Sequence, residues 1–223
     1  MTAEGVQQTA ARLWRNVRAP GSPPPAVLPV AMVLAVGTLV LIALLLWLGV
    51  LHHDKAAWHF FEHRAGTFYS GALLLVSAAL ALAITRRLNG RRFGRFWLVA
   101  TVGFVYLAAD ELTSIHEDID WWVNKRLGRR ADDRWTDHID DSLVLLYGVV
   151  AVAWAFRHRD ALLRLRWATC LLSFAFLGFI VTSVLDVLSL NAAVEESAKL
   201  FAEALIVSGL FAALCDPVLA DVP

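Results

Sequence analysis

Charge of either sign is in no excess in this chain. Its 20 Lys+Arg balance 20 Asp+Glu, and charged residues make up only 18% of the 223. With no basic domain and no DNA- or RNA-binding motif, the arginines lying in short flanking clusters, nucleic acid is excluded as a partner. Cysteine is scarce: Cys170 and Cys215 cannot form a disulfide framework and read as reduced packing residues. There is no glycine-rich phosphate loop, no C-x-x-C-H haem attachment and no serine-histidine-acid arrangement. No lysine sits at the centre of an apolar run where a retinal would be held; Lys199 stands at the mouth of its run.

What the chain has instead is apolar sequence in long blocks, 58% of all residues, with a positive mean hydropathy. Blocks of this length, rather than alternating faces, predict an all-α, polytopic integral membrane protein in a lipid bilayer. Six transmembrane helices are expected, at about 26–51, 68–85, 96–115, 143–156, 167–190 and 197–214, the fourth being the shortest and able to begin at Asp140. At 1.5 Å per residue, spans of roughly 20 residues match a hydrocarbon core of about 30 Å. The first run is too long for a signal-peptide core and lacks a small-x-small cleavage site, so it reads as an uncleaved span. Residues 1–25, with Arg12, Arg15, Arg18 and a proline-rich stretch from Pro20 to Pro25, form a polar arm and stiff linker. Residues 26–215 make one transmembrane domain and 216–223 a short tail.

Basic residues orient the spans. Arg12, Arg15 and Arg18, the cluster Arg86, Arg87, Arg91, Arg92 and Arg95, and the cluster Arg157, Arg159, Arg164 and Arg166 fall on one side. The opposite loops are longer, poorer in basic residues and rich in acids. Both termini are therefore expected in the cytoplasm, in a cell membrane that is the inner membrane if the source is bacterial. With that topology every acid but Glu4, Asp160, Asp216 and Asp221, and every histidine but His158, falls at or beyond the outer ends of the spans. Positive-inside bias accounts for loop acids such as Asp132, Asp133 and Asp137. It does not account for acids a turn or two below the surface.

Those deeper acids are the candidate site. In the third span Asp110, Ser114 and Glu117 share a helical face, with Thr113 at its edge. In the sixth, Glu196, Lys199 and Glu203 share another at steps of three and four. Asp110 precedes Glu117, and Glu203 follows Glu196, by seven residues, so each lies roughly 10 Å deeper than its partner. Asp186 in the fifth span is placed at a similar depth, beside Thr182, Ser183 and Ser189. Glu111, about 100° around the helix from Asp110, reads as an interhelix hydrogen-bonding residue. A buried acid costs roughly 2.5–3.5 kcal/mol on insertion scales, so compensation is required. Lys199 as counter-ion, proton uptake, or a bound cation would each supply it.

The leading expectation is a site recessed in the outer leaflet and open to the extracytoplasmic side, binding a divalent metal, zinc or another. Asp110, His116, Glu117, Asp186, Glu196 and Glu203 are its candidate ligands. With Glu117 and Glu196 as general bases and Lys199 polarising the substrate, such a site could hydrolyse a lipid or a periplasmic substrate. A proton- or cation-coupled transporter using the same carboxylates is one alternative. A structural or partner-binding membrane protein is the other.

Two local patterns stand apart. His59-Phe60-Phe61-Glu62-His63 has the spacing of an inverted zinc-protease motif, or of an i, i+4 metal-binding pair, while its aromatic residues suit a headgroup anchor. Glu195-Glu196-Ser197-Ala198-Lys199 resembles the E-E-x-x-K element of PrsW-type intramembrane proteases, and His116 with Asp120 their H-x-x-x-D element. Here the histidine element comes first and no F-x-x-x-E element lies between them, so membership is not claimed.

Overall fold

The structure is a computed structural model that describes residues 24–53, 55–60, 64–88, 90–115, 119, 122, 125–126, 139–187 and 192–221, with the side chains of 56, 139–145, 186–187 and 220–221 outside the description. Among the described residues it is all-helical: α1 (Val27–His53), α2 (Ala65–Leu88), α3 (Arg92–Thr113), α4 (Ile139–Arg157), α5 (Arg159–Leu162), α6 (Arg166–Val187) and α7 (Ala192–Cys215). Short 3-10 turns follow α1, at Ala56–Phe60, and close the chain, at Pro217–Asp221.

Five of these helices, α1, α2, α3, α6 and α7, are long and apolar enough to cross a membrane. The burial pattern agrees with a lipid surround. Leu28, Val33, Val40 and Trp47 of α1, Val102 of α3 and Phe174 of α6 are all exposed, whereas Thr38, Ser70, Ser77, Asp110 and Glu203 are buried. Large apolar side chains outside and hydroxyls and carboxylates inside reverse the arrangement of a water-soluble bundle. The chain is a multi-pass membrane protein.

The expected fourth span is the shortest of the long helices: its helix starts at Ile139, with Asp140, Asp141 and Ser142 in the first turn, and runs to Arg157.

Small residues set how closely the spans approach. The buried face of α2 runs Thr67, Ser70, Leu74, Ser77, Ala81, Ile84 and Leu88 at steps of three and four, a knob pattern of small and branched side chains. Against this helix pack α3 and α7, and α7 packs in turn on α6 and α1, making it the centre of the bundle. At Gly71 a Cβ would stand 2.8 Å from the Leu112 side chain, and at Gly178 a Cβ would stand 2.9 Å from that of Ala202. Glycine is what lets α3 reach α2 and α6 reach α7 at these heights.

The ends toward the Arg87 side are held by a large apolar cluster that includes Ile84, Leu88, Phe93, Trp97, Leu165 and Leu210. There Arg87 donates to the carbonyl of Leu214, satisfying an orphan acceptor in the last turn of α7. Gly90, at φ +79°, makes the turn from α2 into α3. At its other end α3 stops at Ser114, whose left-handed backbone (φ 54°, ψ 40°) lets its N–H donate to the Asp110 carbonyl at 2.7 Å. Packed together, these contacts bring the N-terminal halves of α2 and α7 and the C-terminal half of α3 to one end of the bundle, with Leu112 seated on Gly71.

Candidate functional site

The site is built on α7, whose periodicity puts Glu196, Lys199 and Glu203 on one stripe. The Lys199 ammonium lies 3.1 Å from Glu196 Oε2 and 3.4 Å from Oε1, a pairing within one turn of the helix. It also lies 3.0 Å from Glu111 Oε1 of α3. With side chains only 23% and 16% exposed, Lys199 and Glu111 form a largely desolvated ion pair that joins two spans.

One turn further along α7, Glu203 is 2% exposed. Its Oε1 accepts a 2.7 Å hydrogen bond from the Ser70 hydroxyl of α2. Its Oε2 meets no hydrogen-bond partner among the described residues. Lys199, Glu111 and Glu196 all lie within electrostatic reach of this carboxyl group. Two carboxylates thus hold one ammonium, and the carboxyl group of Glu203, one turn away, is only half satisfied.

Ser70 is unusual in reaching across an interface. Thr101, Thr113, Thr182 and Ser208 turn their hydroxyls back onto carbonyls three or four residues earlier in their own helices, the usual resting place for a hydroxyl on a transmembrane helix. Two further hydroxyl pairs bridge helices: Thr38 with Tyr69 at 2.8 Å, between α1 and α2, and Tyr106 with Tyr147 at 2.6 Å, between α3 and α4.

The candidate residues from the sequence divide as follows. Lys199 pairs with Glu196, and Glu203 stands one turn beyond Lys199 on the same helix. Asp110 is buried, at 5% exposure, but on α3 it is the neighbouring Glu111 that meets Lys199. This agrees with the interhelix role read for Glu111. His116 and Glu117 lie outside the described residues, as does the side chain of Asp186, whose backbone belongs to α6. Thr113, expected at the edge of the site, spends its hydroxyl on Ala109 at 2.6 Å. Among the described residues no group of three His, Cys, Asp or Glu is placed to hold a metal ion.

Sequence reasoning missed Ser70 altogether. The signal available was the stripe Thr67, Ser70 and Ser77 on the buried face of α2, small polar residues where a lipid-facing helix has no use for them.

A second cluster lies at the C-terminal end of α1. The imidazole of His53 stacks on Trp58 at 4.2 Å, the Arg64 guanidinium lies 4.8 Å from the same ring, and His59 stands 5.9 Å from His53. These contacts fit an anchor at the headgroup level. His63, the expected i, i+4 partner of His59, lies outside the described residues.

No curated protein and no solved structure matches the chain. A family model does, over residues 33–214, a stretch that takes in α2 to α6, most of α1 and nearly all of α7, and with them Ser70, Glu111, Glu196, Lys199 and Glu203. The chain belongs to the family described as Domain of unknown function (DUF8692).

Proposed function

We propose that this protein takes up a cation from the extracytoplasmic side into the carboxylate cluster of α3 and α7, in the manner of a proton- or cation-coupled transporter. The reading has six spans, with α4 as the sixth, and both termini in the cytoplasm. A 19-residue helix is roughly 28 Å long, close to the core thickness. The arginine clusters flanking α2, α3, α4 and α6 favour this orientation.

One observation carries the proposal: Lys199 is held between Glu111 and Glu196 and stands one turn from the buried, half-satisfied Glu203. With every group ionised, three carboxylates against one ammonium leave an excess of two negative charges inside the membrane. At roughly 2.5–3.5 kcal/mol per isolated acid, such an excess draws in positive charge.

For a divalent metal with hydrolytic chemistry the described residues offer no group of three ligating side chains, and the Lys199 ammonium already holds the place between Glu111 and Glu196.

The test is made in liposomes holding the full chain. Saturable binding or flux of protons or of Na+, K+, Ca2+ or Mn2+ is measured for the wild type, Glu203→Gln and Lys199→Gln. Binding or flux in the wild type that Glu203→Gln weakens, while Lys199→Gln keeps or strengthens it, supports the reading. A wild type that neither binds nor moves any of these ions overturns it.

A further inference from the structure

Glu203 stands apart from the other carboxylates. Glu111 and Glu196 both rest on the ammonium at 3.0 and 3.1 Å, whereas Glu203 has one hydroxyl bond from Ser70 and one buried oxygen with no partner among the described residues. A carboxylate needs donors on both oxygens when water is excluded; a carboxylic acid needs an acceptor for one proton and tolerates a bare hydroxyl far better. The Lys199 ammonium rests on Glu111 and Glu196, one turn away from Glu203. Glu203 follows Lys199 by four residues, a spacing at which the two side chains can meet on a helix surface.

We infer that Glu203 is a proton-binding site that competes with Glu111 for Lys199. With the proton on Oε2, Glu203 is neutral, its Oε1 accepts from Ser70, and Lys199 ties α7 to α3 through Glu111. When the proton leaves to water reaching the outer mouth, the new carboxylate draws the ammonium inward by about one turn, roughly 6 Å. Glu111 is released and the tie between α3 and α7 opens. Uptake of a proton restores it. The charged and titratable groups that face Glu203 are Lys199 and Glu196 on its own helix and Glu111 on α3, with the Ser70 hydroxyl on α2. The inference rests on the cation reading above and names that cation as a proton.

Two measurements test it on the full chain in liposomes. Infrared difference spectra across a pH titration are taken for the wild type, Glu203→Gln and Ser70→Ala. The expected result is one protonated-carboxyl band, sensitive to D2O, that is absent in Glu203→Gln and shifted to higher wavenumber in Ser70→Ala because its carbonyl has lost a donor. Spin labels at Val105→Cys and Val194→Cys, both lipid-facing in α3 and α7, then report the tie in a chain whose Cys170 and Cys215 are replaced by serine. The distance distribution is expected to lengthen or broaden as the band disappears, and to stay fixed in Glu203→Gln. No such band at any pH, a band that survives Glu203→Gln, or a pH-dependent distance that persists in Glu203→Gln overturns the inference. Band and distance can respond without any ion flux, and flux can occur with neither, so failure here is distinct from failure of the transport reading.

Discussion

Glu111 of α3 and Lys199 of α7 meet at 3.0 Å, each with less than a quarter of its side chain exposed. The pair is costly to assemble in lipid and costlier to break. Removing one partner from a buried pair leaves an uncompensated charge worth about 3–5 kcal/mol, less here because some exposure remains. Lys199→Met is expected to lose about 2 kcal/mol or more of stability, and Glu111→Gln less, since Glu196 still holds the lysine. In a double-mutant cycle the two changes should be non-additive by about 1–2 kcal/mol. Reversible unfolding in mixed micelles measures both; additive losses would mean that the pair is not formed.

The rotation of α3 that brings Glu111 to Lys199 is set one residue away, where Leu112 seats on Gly71. A methyl group at Gly71 would start 2.8 Å from Leu112, so Gly71→Ala should cost about 1–3 kcal/mol by forcing the helices apart. The paired change Gly71→Ala with Leu112→Ala should recover part of that loss. Gly103, also on α3, has nothing within 4 Å of the place a methyl would take, and Gly103→Ala should be neutral or stabilising by up to about 1 kcal/mol. Thermal unfolding of the wild type and these three variants separates close approach from helix propensity.

These two residues also show where the sequence stops being informative. The spans were legible because an apolar run of the right length admits few alternatives, and the stripe Glu196, Lys199, Glu203 was legible because it lies within one helix. Which face of α3 turns toward α7 was not. Asp110 and Glu111 differ by about 100° of rotation, and the choice between them depends on Leu112 finding Gly71, a contact between distant parts of the chain. Ser70 was hidden for the same reason: a serine in a transmembrane helix ordinarily bonds its own backbone, and only its neighbour across the interface makes it a partner of Glu203. The fourth helix was hard to bound because acids in its first turn blur the apolar signal that marks the other spans.

Tyr106 and Tyr147 offer a check on where α4 lies. Their hydroxyls share a 2.6 Å hydrogen bond and their rings meet edge-on at 5.3 Å, joining α4 to α3 near the middle of both helices. Interhelix hydrogen bonds in membranes average about 0.6 kcal/mol in double-mutant cycles. Tyr106→Phe and Tyr147→Phe should each cost about that much, and the double variant little more than either. If the two losses simply add, the hydroxyls do not bond each other and α4 sits elsewhere.

At the opposite end of the bundle, His158 between α4 and α5 gives a pH dependence with a definite sign. Its ring lies 5.3 Å from Phe96, 5.2 Å from Trp154 and 6.2 Å from Phe93, tying the end of α4 to the start of α3. Burial among these rings, and then the charges of Arg92 and Arg157, lower its pKa below the ordinary 6.5. The folded protein therefore binds this proton less readily than the unfolded chain does. Its contribution to stability is intact above about 6.5 and declines as the pH falls through that value toward the lowered one, below which the loss is complete. His158→Phe keeps an aromatic ring against Phe93, Phe96 and Trp154 and has no proton to bind. The difference in stability between wild type and His158→Phe, measured by denaturant unfolding in micelles, should be flat above about pH 7 and move in favour of the variant as the solution is acidified. A difference that stays constant across this range would mean that the imidazole is as accessible to protons in the folded state as in the unfolded one.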